Sequence, residues 1–428
     1  MKVLLVNPPV YDFALHDFWL KPYGLLRIAE AFRRKNIPHD FFDFLDRGHP
    51  FYNALNLKTD EFGRGKFFSE EVKKPEVISF VPRKFKRYGL PRSIFLEFAG
   101  RKNYDFVFIT TGMTYWYTGV REVIDTVREH WPGAEIFAGG IAATLMPDFY
   151  RNLGVDKVVI GDDWSSLTST PLEINPLDET PCYDVYEKLY YAVIRITEGC
   201  PLKCAYCASC LLKTTFRVMD IKKYAELIER LYFQREISDY VFYDDALLYR
   251  IDEGLFRLYE ELKQRKLIGK IRFHTPNAIH VRKIDFETAR LLKEMGFVTI
   301  YLGVETLNPQ LLRKVGEKLS FIDLKDALEN LFKAGFQRSQ ITAYILLGIP
   351  GQEYEEVEEN IRVISSFGIN VSLSEFSPIP GTPVGDEAIR KYSLTDPLLT
   401  NNSVFPLLLY GFERVNYLKN LKNALRSS

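Results

Sequence analysis

Four of the five cysteines in this 428-residue chain fall between positions 200 and 210. The run Thr197-Glu-Gly-Cys-Pro-Leu-Lys-Cys-Ala-Tyr-Cys-Ala-Ser-Cys210 spaces Cys200, Cys204 and Cys207 as C-x3-C-x2-C. Three thiolates on so short a segment can line one side of a tight loop, and they suit three corners of a cubane iron–sulfur cluster. The fourth iron then takes no ligand from the triplet. An iron with an open position can bind a small molecule, which points to a reactive cluster rather than an electron wire. A zinc loop would pair two cysteine or histidine arms, and no second arm exists here. Cys210 could face a substrate, donate a hydrogen atom or be buried; burial is the default for it and for Cys182.

The elements that must carry this loop are legible from periodicity. A strand over 192–197 delivers it at its carboxyl end. Strands over 240–243, 270–274, 298–303, 340–347 and 370–375 follow, separated by helical patterns at 218–235, 252–266, 285–295, 321–335 and 352–367. Six βα steps predict a partial (β/α)6 TIM-type barrel over 191–382, with its site in the loops at the carboxyl ends of the strands. Those ends are polar or glycine-bearing: Asp244-Asp245, His274-Thr275-Pro-Asn277, Gly303-Val-Glu305 and Gly348-Ile-Pro-Gly351. His274 lies in an alternating strand and reads as a satisfied core histidine.

Before the barrel, strands over 2–7, 39–44, 105–110, 135–138 and 157–160 alternate with helices over 23–35, 118–131 and 142–153. This rhythm predicts an α/β domain over 1–164, a doubly wound, Rossmann-like parallel sheet. Residues 47–101 break the rhythm and read as an insertion packed on the core, with a substrate or partner lobe as the other reading. Residues 165–190 read as a linker and 383–428 as a tail or lid.

Lys+Arg and Asp+Glu both number 56, so net charge is zero. Bulk electrostatics therefore make no case for a nucleic acid or an anionic membrane. The opening Met1-Lys-Val-Leu-Leu-Val-Asn-Pro-Pro is too short an apolar run for a signal peptide. No stretch of about 18 apolar residues predicts a membrane span. Clustered thiols without an export signal fit a reducing cytoplasm.

The cysteine triplet with Tyr206 before its last member resembles the radical S-adenosylmethionine superfamily. The run Pro378-Ile-Pro-Gly-Thr-Pro383 is similar to a branch of it that carries an N-terminal cobalamin-type domain. Its prolines prevent further strand pairing. The resemblance covers roughly 190–383. It implies a 4Fe-4S cluster on Cys200, Cys204 and Cys207, with S-adenosylmethionine on the open iron cleaved to a 5′-deoxyadenosyl radical. It implies an electron donor such as flavodoxin or ferredoxin. Strand by strand it places Tyr206, Asp244, Asp245, Thr275, Asn277, Gly303, Glu305, Lys318 and Gly348 around the cofactor. A carboxylate such as Asp244 or Asp245 can hold an ammonium, although either could instead cap the next helix. Glu305 could accept from two ribose hydroxyls, and Lys318 could hold the cofactor carboxylate or be a solvated lysine.

The same branch implies cobalamin on the N-terminal sheet. Ligands bind such sheets at the carboxyl ends of the strands, where Thr111, Met113, Tyr115, Trp116, Gly139, Gly140 and Gly161 stand. One departure is plain. None of the six histidines sits in the Asp-x-His-x-x-Gly motif that ligates cobalt in the mutase type; the nearest run, Asp46-Arg-Gly-His49, has the wrong spacing. Met113, Tyr115 or Trp116 could face the cobalt instead, or the domain could keep the fold alone.

Several functions remain open at this point. The leading one is a cobalamin-associated radical enzyme, with methyl transfer to a small molecule as its reaction. Another is a radical rearrangement in which the N-terminal domain binds substrate. An RNA methylthiotransferase would carry cluster cysteines in its N-terminal domain, and none precedes Cys182. An iron–sulfur sensor would not need polar groups after several barrel strands.

Overall fold

The computed structural model describes residues 1–55, 57–100, 102–167, 170–316 and 319–425, in two compact units, Met1–Ala192 and Val193–Ser428. In the first unit, β1 (Val3–Asn7), β2 (His39–Asp43), β3 (Phe106–Thr111), β4 (Glu135–Gly140) and β5 (Lys157–Val158) form one sheet. Its order is β5-β4-β3-β1-β2 and its pairings are parallel. Side chains alternate across a strand. Leu4 and Val6 accordingly enter one core and Val3 and Leu5 the other, so both faces are covered. This is the doubly wound sheet the sequence predicts. The helix predicted over 142–153 is two short ones, Ile141–Leu145 and Pro147–Asn152. Pro147 has no N–H to continue the first.

The insertion is largely antiparallel. Val10–Asp12 and Ser69–Glu71 flank Lys86–Tyr88. It packs on the core: Tyr52, Leu90, Phe95 and Ala99 join Phe42 and Phe44. The Phe95 ring lies 4.9 Å from Phe42 and 5.2 Å from Phe44 between centroids. Residues of the expected linker also pack down. Leu167, Leu172, Ile174 and Cys182 are buried with Val3, Leu5 and Phe32. Arg27 staples this segment by donating to the carbonyls of Pro176 at 3.0 Å and Glu179 at 3.1 Å.

In the second unit, β6 (Ala192–Ile194), β7 (Asp239–Phe242), β8 (Arg272–His274), β9 (Phe297–Glu305), β10 (Ile341–Leu347) and β11 (Asn370–Glu375) lie side by side in chain order. The pairings from β7 to β11 are parallel. Sequential parallel strands with intervening helices are the barrel architecture. Asp220, Asp285 and Ser320 cap three of those helices by accepting backbone N–H bonds in the first turn.

Two differences from the predicted elements bear on the site. The first strand ends at Ile194, and Thr197–Glu198 instead pairs antiparallel with Arg217–Val218, closing the base of the cysteine loop. The tail forms helices Pro383–Lys391 and Phe405–Ala424. Val384, Ala388 and Phe405 bury against Leu346, Ile349 and Phe376, so this segment is part of the core. Among the described residues, no helix is long and apolar enough to cross a membrane.

Because Phe95 is wholly buried inside the insertion, Phe95→Ala should destabilise the chain by about 3–5 kcal/mol. The urea unfolding midpoint measures this. A change below about 0.5 kcal/mol, as for an exposed site, would mean the insertion is a loose lobe.

Candidate functional site

The cysteine loop leaves β6 and is fixed at its entry by a buried carboxylate. Asp244, just after β7, accepts from the Ile196 N–H at 3.0 Å, the Thr197 N–H at 2.5 Å and the Thr197 hydroxyl at 2.7 Å, all on one oxygen, Oδ1. Its Oδ2 is buried with no hydrogen-bond partner among the described residues. Burial pushes this carboxyl up to about 7, against the opposing pull of its Thr197 bonds. Asp244, expected on the cofactor, is 3% exposed and bonds the backbone that leads into the loop.

Further along, the Ala205 N–H donates to the Val315 carbonyl at 3.2 Å, and the Ala205 carbonyl accepts from the Val384 N–H at 3.0 Å. Gly316 follows helix Pro309–Val315 with φ +120°. A Cβ there would stand 3.2 Å from Cys204 Cα and 3.6 Å from its sulfur. Glycine is thus required twice over, by the left-handed backbone and by the close approach. Ala205 and Tyr206 pack partly buried on the cluster of Leu311, Val315 and Phe405.

None of the five cysteines is in a disulfide; Cys204 is buried and Cys200, Cys207 and Cys210 are half-buried. Among the described residues, no three Cys, His, Asp or Glu side chains are grouped to hold a single metal ion. A cubane cluster places each thiolate on a different iron, so its triangle is wider than the ligand set of one ion. Three soft donors on one braced loop fit that group. Cys182 is buried in the other unit, with its thiol pushed up to about 11 by burial and then by the nearby Glu30 carboxylate.

The remaining barrel positions divide. Asp245 pairs with Arg195 and accepts from the Ser209 hydroxyl at 3.2 Å. Asn277 is exposed and anchored by one bond from its Nδ2 to the Tyr243 carbonyl at 3.0 Å. Glu305 ends β9 with φ +68°, a left-handed backbone unusual for a glutamate, at a register shift against β10. Gly303 has no side chain, and a Cβ there would lie 3.2 Å from Glu305 Oε1. Glu305 is buried, 7% exposed, and its carboxylate lies over Gly303 at the carboxyl end of the strand.

Two expected cofactor positions are engaged within the fold. Thr275 is fully buried, and its hydroxyl donates to the Thr299 carbonyl at 3.3 Å while accepting from the Tyr301 N–H at 3.1 Å. It bridges strands at the β8–β9 irregularity. The Gly348 N–H is taken by Gln352 Oε1 at 2.9 Å, and Pro406 would be 3.2 Å from a Cβ there, so this turn is covered by the tail. His274 is the satisfied core histidine expected, between Asp239 at 2.9 Å and Thr299 at 3.0 Å. Lys318 lies outside the described residues. Sequence reasoning missed Gly316, Arg195 and Ser209. Gly316 lies two residues before the charged Lys318, whose type is the stronger local signal; nothing local marks Arg195 or Ser209.

At the carboxyl edge of the first unit's sheet, Met113, Ile141 and Ile160 follow neighbouring strands β3, β4 and β5 and are 46%, 45% and 40% exposed. Large apolar side chains gathered at such an edge suit a flat, apolar ligand face. Gly161 adopts φ +56° there, its N–H held by Thr144 at 3.0 Å. A Cβ on Gly139 would make only ordinary contact, 3.4 Å from Val159. Gly140 is needed for the fold, since a Cβ would stand 2.5 Å from the Thr111 carbonyl oxygen. Thr111 and Tyr115, expected at the cobalamin, are engaged within the fold. The Thr111 hydroxyl donates to the Gly139 carbonyl and accepts from the Ala143 N–H, both at 2.9 Å. Tyr115 is 2% exposed and turned inward. Trp116 is half-buried, its indole N–H donating to Asp12 at 2.8 Å.

With Gly316 against Cys204, Gly316→Ala should reduce iron bound after anaerobic reconstitution severalfold while leaving the circular dichroism spectrum unchanged. Asp244→Asn tests the buried carboxyl. A folded-state value of about 7, above the ordinary 3.8, makes the protonated form the more stable one in the fold. Its contribution is full below about 4 and is lost as pH rises toward and past 7. Asparagine cannot ionise, so the urea midpoint of the parent should fall relative to Asp244→Asn between pH 5 and pH 8; a pH-independent difference would refute the shift.

Comparison with known proteins agrees with this geometry. The Radical SAM superfamily model matches residues 194–364, and the B12 binding domain model matches 90–168. An uncharacterized methyltransferase of Pyrococcus horikoshii is 25% identical over 225 residues, 49% of this chain and 46% of its own length. The threonylcarbamoyladenosine tRNA methylthiotransferase MtaB of Thermotoga maritima is 25% identical over 284 residues, 62% of this chain and 64% of its own. The chain thus spans about half to two thirds of the length of these curated relatives. The radical S-adenosylmethionine methyltransferase TsrM from Kitasatospora setae, solved with tryptophan substrate and a SAM analog, superposes with a TM-score of 0.65 at 18% identity, covering 91% of this chain and 76% of that one. The cobalamin-dependent S-adenosylmethionine radical enzyme OxsB superposes with a TM-score of 0.58 at 10% identity, covering 99% of this chain and 61% of that one. The chain thus carries a region that matches the Radical SAM superfamily model, preceded by a region that matches the B12 binding domain model.

Proposed function

We propose that the chain is a cobalamin-associated radical S-adenosylmethionine enzyme that methylates a small molecule in the cytoplasm. The observation that carries this reading is the braced loop of Cys200, Cys204 and Cys207 at the same sheet edge as Asp245, Asn277 and Glu305. When bound, the cluster, adenosylmethionine and corrinoid would supply an electron, a source of a 5′-deoxyadenosyl radical and a methyl carrier. The chain's own residues bind and orient. The three thiolates hold three irons and leave the fourth open. The Glu305 carboxylate accepts from ribose hydroxyls, its direction set by the left-handed backbone and by Gly303. Asn277, tethered by its amide nitrogen, keeps its carbonyl oxygen for a ligand donor. In the first unit, Met113, Ile141 and Ile160 shield an apolar face from water.

A small-molecule substrate is favoured over RNA. Net charge is zero, and the only cysteine ahead of the loop, Cys182, is buried among Leu167, Leu172 and Phe32. A flavodoxin or ferredoxin would supply the electron.

Anaerobic reconstitution with iron and sulfide, then hydroxocobalamin and adenosylmethionine, tests the proposal. The parent should retain corrinoid absorbance and release 5′-deoxyadenosine under strong reductant, and Cys204→Ala should release none. Glu305→Gln should lower 5′-deoxyadenosine formation about tenfold, the scale of one lost charge-assisted hydrogen bond. No retained corrinoid would remove methyl transfer from the reading; a cluster without adenosylmethionine cleavage would favour a sensor.

A further inference from the structure

The second carboxylate after β7 reaches the far end of the cysteine loop. Ser209 sits two residues beyond Cys207. Its backbone N–H donates to the Cys207 sulfur at 3.5 Å, and its hydroxyl oxygen accepts from the Cys207 thiol at 3.2 Å. That hydroxyl also lies 3.2 Å from Asp245 Oδ1, to which it donates. The other Asp245 oxygen is paired with Arg195, on the segment just after β6. A continuous line thus runs Cys207, Ser209, Asp245, Arg195. Ser209 and Asp245 lie in different βα steps and meet only through the fold.

Hydrogen bonds to a ligating sulfur withdraw charge from it, and buried charges near a cluster alter the cost of adding an electron. The two residues therefore act in opposite senses on a cluster held by Cys207. A ligating Cys207 thiolate has lost the proton it gives to Ser209 Oγ, so the single hydroxyl proton of Ser209 is shared between that sulfur and Asp245 Oδ1, and its share on the sulfur favours the reduced state. Asp245 brings a negative charge and draws the Ser209 hydroxyl away from the sulfur, and both effects favour the oxidised state. Arg195 offsets part of that charge.

We infer that Ser209 and Asp245 set the reduction potential of the cluster, with Ser209 touching the ligand and Asp245 a positioning residue that acts through it. The inference rests on the cluster assignment made above but adds residues and a property that assignment does not require. It gives Asp245 a second task beside any contact with a cofactor ammonium.

An anaerobic redox titration followed by electron paramagnetic resonance, on full-length protein reconstituted with iron and sulfide alone, tests it. Ser209→Ala should shift the midpoint to a more negative potential. Asp245→Asn should shift it to a less negative one, because the negative charge is removed and the hydroxyl is released to the sulfur. Ser209→Thr keeps the hydroxyl and should stay near the parent. Opposite shifts at parental iron content support the inference, since a merely structural role would lose iron in both variants or shift both the same way. Shifts of one sign, no shifts, or iron loss in both overturn it while leaving the cluster assignment intact. A parent chain that takes up no iron overturns both.

Discussion

The site depends on one buried carboxylate. Asp244 binds the backbone at Ile196 and Thr197, where the chain turns out of β6 toward the cysteines. A carboxylate in such a place is costly unless hydrogen bonds compensate it. Three bonds converge on one oxygen and none reaches the other. The neighbouring strand β7 thereby dictates where β6 stops, which is why the predicted strand over 192–197 ends at Ile194 and the next residues form a small antiparallel pair. That turn fixes where the cysteine loop begins.

The loop is then braced on its other sides by elements far apart in sequence. Val315 and Val384 hold Ala205 through backbone bonds, and Gly316 lies under Cys204. The segment after 383 belongs to this brace. Its helices bury Val384 and Phe405 in the same cluster that supports Ala205 and Tyr206, so loosening the tail would loosen the loop. A reactive centre on a loop requires this rigidity, because loops are otherwise the mobile part of a fold.

The two sheets place their chemistry by the same rule. Parallel strands buried on both faces leave only their ends for ligands, and the carboxyl ends collect the residues that matter. In the first unit these are apolar side chains and glycines; in the second they are thiols, a carboxylate and an amide. The difference in polarity between the two edges matches a flat, apolar corrin in one and a charged, hydroxyl-rich nucleoside in the other.

Much of this was legible in the sequence. Burial on both sheet faces gives short apolar runs, and helices show a 3.6-residue period, so β1 to β11 stood out within a few residues. The triplet was legible because metal ligation by thiolates depends on local spacing, which the sequence states directly. What the sequence could not decide was the orientation of each polar side chain at a strand end. Asp244 and Asp245 are adjacent, yet alternation along the chain sends one into the backbone of β6 and leaves the other at Ser209 and Arg195. Thr275 and Asn277 are two residues apart, yet one hydroxyl bridges strands at a register shift and the other side chain is exposed. Gly316 took its meaning from Cys204, more than a hundred positions earlier. By itself the sequence determined the fold class and marked the cysteine triplet, because periodicity and spacing are local. Only the tertiary structure decided which polar groups brace the loop and which are left for a ligand, because that choice depends on neighbours brought together by the sheet.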